Sequence, residues 1–420
     1  MHGVKVGLAL ALVSVFYYTR PLYDGVGGAA MWAVMTVVVV LEYTVGGCVY
    51  KGFNRAAATA SAGVLALGVH WIASKCGDNI EPFIRSGSVF LLAAIATFSR
   101  FIPTVKARFD YGVTIFILTY SLVAVSGYRV DALLAMAQHR IATIAIGVSI
   151  CFAVCVLICP VWAGEELHRL TARNMEKLAA AVEACVEDYF AGGGEAGSKP
   201  QPSAAAEGYK CVLNSKASED AQANLARWEP AHGRFGFRHP YAQYRDVGAA
   251  MRHCAYCVEA LIGVARSAEM IQAPAHAKRH LADPCTRVAA HCARVLREAS
   301  SSVSAMAASR SLDFLAAEMN TAVQELQADL RALPSTLLLA EPTAPLMGAA
   351  QLFTVTSLLM EVSARVDGVV DAVETLASLA GFKSADDEKP AESTTKVQPV
   401  IDSDSEEPEG GRTVKALEQA

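Results

Sequence analysis

Residues 139–162 read HRIATIAIGVSICFAVCVLICPVW, a run whose only ionisable groups other than cysteines stand at its first two positions, His139 and Arg140. A helix needs about 20 apolar residues to cross a hydrocarbon core of ~30 Å, and this run has that length. Five more precede it, at 3–19, 29–45, 56–74, 83–99 and 111–127. Almost every positive charge in this half stands at the end of a run: Lys51, Arg55, Arg100, Lys106, Arg108 and Arg140. A basic side chain at the bilayer centre costs on the order of 3 kcal/mol or more. Arginines near membrane depth therefore need an anionic partner, a water-filled cavity or an interface. The pattern predicts an all-α membrane protein with six transmembrane helices that handles anions.

The 420 residues are 53% hydrophobic, but that average conceals two halves. Residues 1–162 are almost devoid of acids and are expected to form the membrane unit. After Trp162-Ala163-Gly164 the pattern changes to an amphipathic helix, with Leu167, Leu170, Met175, Leu178, Val182, Cys185 and Val186 at three- and four-residue steps. Gly192–Ser203 reads as a linker, and helices are expected at 206–228, 242–272, 279–308, 311–332 and 346–381. Nothing alternates with period two, so 163–383 is expected to be a helical bundle. From 386 to 409 nine carboxylates face two lysines. The segment 384–420 is expected to be a disordered acidic tail, with Ser403 and Ser405 open to kinases.

The start of the chain carries no small-residue cleavage site. Aromatics gather at Phe16-Tyr17-Tyr18, as in an interfacial belt, so a retained first helix is expected. The bias of basic residues toward Lys5, Lys51, Arg55, Arg100, Lys106 and Arg108, with further ones after residue 169, puts both termini in the cytosol. The eleven cysteines form no disulfide framework. Cys151, Cys155 and Cys159 recur every four residues and read as one packed helix face. Cys254 and Cys257 have the spacing of half a zinc knuckle, with no second pair to complete it. No phosphate loop, paired nucleophile or metal-binding motif is present. Neither enzymatic activity, a cofactor nor a metal is expected, and nothing points to nucleic acid.

Residues 227–241 read RWEPAHGRFGFRHPY, in which proline and glycine shape a loop and aromatics anchor it. Trp228-Glu229-Pro230 with the following His-Gly and Phe-Arg-His-Pro elements resembles the WEP motif of the plant aluminium-activated malate transporter family. Ala30–Val40, Lys51-Gly52-Phe53-Asn54-Arg55, Arg108-Phe109-Asp110-Tyr111-Gly112, Ser126-Gly127-Tyr128-Arg129 and Pro160-Val161-Trp162-Ala163-Gly164 are similar in register. The resemblance covers about residues 2–270 closely. It implies an anion channel passing malate and inorganic anions such as chloride, nitrate or sulfate, built as a homodimer in the lipid bilayer. It further implies that Arg140 lines the pore, with Arg100, Lys106, Arg108, Lys51 and Arg55 supplying a cytosolic vestibule in which cationic groups replace the anion's water. Asp24 and Asp131 are the candidates for an outer aluminium site. Ala135 stands where aluminium-responsive relatives carry another acid, so a weak or absent response is expected. The form of the 227–241 segment resembles the plasma-membrane branch more than the vacuolar one. The competing reading is a proton-coupled aromatic-acid efflux transporter of the fusaric-acid-resistance type, in which Glu42 and His70 would carry the proton.

Overall fold

The computed structural model describes residues 1–19, 30–77, 79–126, 133–191, 203–236, 238–267, 275–340 and 346–383. Asp24, Asp131 and the acidic tail lie outside them, as does most of the 192–203 linker. The described residues are helical. No strand forms among them, only isolated bridges between His232 and Phe235 and between Ala307 and Lys383.

The amino-terminal half contains α1 (His2–Tyr18), α2 (Ala30–Val40), α3 (Val45–Lys75), α4 (Glu81–Ser99), α5 (Pro103–Ser126) and α6 (Leu133–Leu157). Helices α3 to α6 are each long and apolar enough to cross a membrane, whereas α1 and α2 supply shorter apolar helices. The expected run 29–45 is thus a helix that stops at Val40, followed by a turn. Thr44 ends the turn by accepting a hydrogen bond from the Gly47 N–H (3.1 Å), which caps α3. Capping there starts α3 eleven residues before the expected run at 56. At 1.5 Å per residue its 31 residues reach about 46 Å. Lys51 and Arg55, expected at a span's end, are therefore inside a helix.

Two small-residue cores hold this half together. One joins Ala9, Val13, Ala33, Val37, Cys48, Cys151 and Cys155, and the other joins Ala62, Ala66, Tyr120 and Val123. Small side chains let helices approach closely where lipid removes the hydrophobic drive. On α4, Phe83, Phe90, Leu91, Ile95 and Phe98 are exposed, as on a lipid-facing helix surface, while Val89 and Leu92 pack against the second core. Cys159 departs from the expected cysteine face. Helix α6 ends at Leu157, and Cys159 takes a positive φ (43°) outside it, its carbonyl accepting from Lys5 Nζ at 2.9 Å.

The carboxyl-terminal half is a bundle of α7 (Ala163–Ala191), α8 (Tyr209–Leu213), α9 (Lys216–Ala226), α10 (Tyr241–Ser267), α11 (Ala275–Ala305), α12 (Ser311–Ala340) and α13 (Leu346–Ala380). The expected single helix over 206–228 is broken at Asn214-Ser215. There the Ser215 hydroxyl bonds locally, to the Val212 carbonyl (2.7 Å) and the Glu219 carboxylate (2.6 Å). Helix α10 also has the length and apolarity of a membrane span. Its apolar stripe, however, is Tyr244, Val247, Met251, Cys254, Val258 and Leu261, and it is buried in the core shared with α7, α11 and α13. Cys254 packs in that core. No cluster able to hold a metal occurs among the described residues.

Candidate anion pathway

Three helices of the amino-terminal half converge on one cavity. Gly52 of α3 abuts Val148 of α6, where an added Cβ would stand 2.8 Å from a valine methyl. Gly112 of α5 abuts Asn54 of α3, where an added Cβ would stand 2.7 Å from the amide oxygen. These close approaches set the register of the crossings. They bring Arg55 and Thr59 of α3, Ile115, Thr119 and Leu122 of α5, and Arg140, Thr143 and Ile144 of α6 around a narrow cavity of about 20 Å³. That is room for one or two waters. Trp32 of α2 closes one side, with the Arg140 guanidinium 4.2 Å from its ring centre, within cation–π range.

Arg55, expected in a cytosolic vestibule, thus faces the same space as Arg140. Arg55 is buried, and its Nε has no hydrogen-bond partner among the described residues; neither has the Thr59 hydroxyl. Among the described residues, no carboxylate lines the cavity. Buried donors left unsatisfied cost about 1–3 kcal/mol each, more when charged, so a water or an anion is the natural occupant. Thr59, Thr119, Thr143 and Trp32 were not singled out from sequence. The i, i+4 stripe Lys51–Arg55–Thr59 was the available signal for Thr59.

The other expected cations divide into two groups. Lys51 is paired with Glu42 and lies 5.8 Å from the Tyr111 ring. Arg100 makes a two-point pair with Asp110, at 2.7 and 3.2 Å. Their charge is largely compensated. Lys106 and Arg108 are exposed, and neither has a carboxylate at ion-pair distance among the described residues. Arg108 stands seven residues before Ile115, on the helix face that lines the cavity. His70 accepts a hydrogen bond at Nδ1 from Arg85, because a guanidinium can only donate, and Arg85 also bonds Glu81 at 2.9 Å.

The Trp228-Glu229-Pro230 segment ties the bundle to this helix set. The Glu229 carboxylate is buried and accepts three backbone N–H bonds. Gly46 donates at 3.2 Å, Ala163 at 2.6 Å and Gly164 at 3.0 Å. These donors are the unsatisfied amides at the starts of α3 and α7, where helix dipoles favour a negative charge. Burial holds the Glu229 carboxyl above the usual range, against the pull of those hydrogen bonds. Trp228 packs on Tyr50 and Phe53 of α3, with ring centres 5.6 and 5.2 Å apart. Beside the clamp, His232 stacks on Trp162 at 3.8 Å. The Tyr244 hydroxyl is shared by His168 Nδ1 (2.9 Å) and His239 Nε2 (3.1 Å). Burial, then the neighbouring histidines, push His239 down to about 4.

These features define a multi-pass helical membrane protein with an arginine-faced cavity between its spans and a helical bundle clamped to one end. The family model for the aluminium activated malate transporter matches residues 1–351. Aluminum-activated malate transporter 10 of Arabidopsis thaliana is 46% identical to the chain, covering 95% of it and 86% of the relative. Aluminum-activated malate transporter 1 of Triticum aestivum is 43% identical over 92% of the chain and 84% of the relative. Aluminum-activated malate transporter 2 of Arabidopsis thaliana is 42% identical, over 94% and 77%. The chain belongs to the aluminium-activated malate transporter family.

Proposed function

We propose that the protein is an anion channel that conducts malate, and inorganic anions with it, across a plant membrane. The observation that carries this reading is the pair Arg55 and Arg140 facing one cavity between apolar helices, with no carboxylate among its described lining residues. Two guanidinium groups in that setting replace the hydration of an anion and exclude cations. The malate named in its relatives supplies the substrate. A cavity of about 20 Å³ is too small for a dicarboxylate, so conduction requires α3, α5 and α6 to part, in a homodimer of six-span subunits. The bundle, residues 163–383, lies in the cytosol, with the tail 384–420 beyond it as a regulatory segment. The plasma membrane is the favoured location, and Asp24 and Asp131 alone give a weak aluminium response at most.

Proton-coupled efflux is disfavoured by the engagement of its two candidate residues, Glu42 with Lys51 and His70 with Arg85. The test is whole-cell recording with malate, nitrate and chloride exchanged on each side. Reversal potentials that follow the anion gradients without any proton gradient support a channel. Flux that stops when the proton gradient is collapsed supports the transporter instead.

A further inference from the structure

Several helical threonines of this protein spend their hydroxyls on their own backbone. Thr36 donates to the Trp32 carbonyl at 2.7 Å, Thr114 to Asp110 at 3.1 Å and Thr171 to Leu167 at 2.9 Å, each one turn back. In the wall of the Arg55 and Arg140 cavity, Thr143 does the same, donating to the Arg140 carbonyl at 2.9 Å. Thr59 lines that cavity too and is 5% exposed, yet its hydroxyl has no hydrogen-bond partner among the described residues. One turn before it on α3, Arg55 is 7% exposed and its Nε–H is likewise without a partner among them.

The two free donors thus face one small space. Much of the remaining wall, Ile115, Leu118, Leu122 and Ile144, is aliphatic and offers no hydrogen bond. The Arg140 guanidinium lies against the Trp32 ring, 4.2 Å from its centre. Residues four apart on a helix are neighbours, with Cβ atoms about 5–6 Å apart, so one anion can reach both Thr59 and Arg55. Their spacing is set by α3 alone. It therefore survives any parting of α3 from α5 and α6.

We infer that the Thr59 hydroxyl and the Arg55 Nε–H form a two-donor anion site on α3, in which Thr59 is the residue that favours carboxylates over weakly hydrated anions such as nitrate. This rests on the channel reading above. Arg55 supplies charge, which attracts every anion. Discrimination comes from water. A carboxylate gives up strong hydrogen bonds on leaving solvent, and the pore has to return them. A hydroxyl does so through a short, charge-assisted O–H···O⁻ bond. Nitrate spreads one charge over three oxygens, accepts each bond more weakly and gains less from the same donor. Thr59 thus decides how much of its hydration malate recovers, and Arg55 decides that anions enter.

The test is patch recording in malate and in nitrate, at measured surface expression, for wild type, Thr59→Val, Thr59→Ser and Thr143→Val. Valine keeps the branched shape of threonine and removes the hydroxyl. The malate-to-nitrate permeability ratio of Thr59→Val is expected to fall about three- to tenfold, the effect of one hydrogen bond to a charged group, with nitrate current retained. Thr59→Ser is expected to keep the wild-type ratio. So is Thr143→Val, because that hydroxyl is already spent on the Arg140 carbonyl. An unchanged or raised ratio in Thr59→Val overturns the inference. A fall of malate and nitrate currents by the same factor also overturns it, since that marks a structural role. An equal shift in Thr143→Val does so as well, by showing that any change to the cavity wall suffices. A wild-type chain that carries no anion current instead defeats the channel reading itself.

Discussion

Replacing Glu229 by Gln changes one oxygen for an amide nitrogen at the junction of α3 and α7. The remaining carbonyl oxygen can still accept from Gly46 and Ala163, which both bond Oε1, at 3.2 and 2.6 Å. The new NH₂ group then faces the Gly164 N–H, which now donates to Oε2 at 3.0 Å, and two donors meet. One charge-assisted bond is lost, about 1.5–3 kcal/mol, and a buried N–H is left unsatisfied, about 1–3 kcal/mol. Removing negative charge from two helix amino termini adds about 0.3–1 kcal/mol each. The relief of a buried charge offsets part of this, since burial already holds the Glu229 carboxyl above its usual range. The net expectation is about 2–4 kcal/mol of destabilisation, localised at the clamp. The assay is thermal unfolding of purified protein in detergent, with anion current measured in parallel. The Gln variant is expected to melt several degrees lower and to lose current. Asp, which keeps the charge on a side chain one methylene shorter, is expected to fall between Gln and wild type. A Gln variant that melts with wild type and conducts normally refutes the clamp.

Further expectations concern the bundle and the tail. Glu219 is buried against Arg252 at 2.6 Å. Glu219→Ala should destabilise by about 3–5 kcal/mol by stranding the guanidinium, and adding Arg252→Met should recover much of the loss in the same melting assay. His239 is held neutral in the folded protein, at about 4. The unfolded chain takes up that proton near the ordinary histidine value of about 6.5, so stability present above that pH is lost as pH falls toward 4. His239→Gln should flatten the dependence of melting temperature on pH over this window. Deleting residues 384–420 should alter open probability or voltage dependence and leave the malate-to-chloride permeability ratio unchanged; a changed ratio puts the tail in the pathway.

The hydropathy of the chain made α4 legible to within two residues and located α5 and α6, because long apolar stretches between charges have one structural outcome in a bilayer, although these two helices begin eight and six residues before the expected runs at 111 and 139. The extension of α3 back to Val45 was not legible. Lys51 and Arg55 interrupt the apolar run, and only the Thr44 cap and the Gly52 and Gly112 crossings explain how a helix carries them inward. Arg55 and Arg140 are 85 residues apart in sequence, and no local pattern announces that they share a cavity. Glu229 stood out as part of a motif, but its partners lie 183 and 66 residues away, and its role as a double cap needed coordinates. Helix α10 shows the converse. Its apolarity reaches that of a membrane span, yet the segment 242–272 was expected as a helix of the bundle, and the coordinates bury its apolar stripe in the bundle core.

The most direct test of the central claim is the malate current of an Arg140→Gln channel, measured beside wild type at equal surface expression. Arg140 stacks on Trp32 and shares a cavity with Arg55. Losing its charge should reduce malate current at least tenfold and shift the reversal potential toward that of a less anion-selective pore. Malate current and reversal potential identical to wild type would place permeation elsewhere and contradict the account.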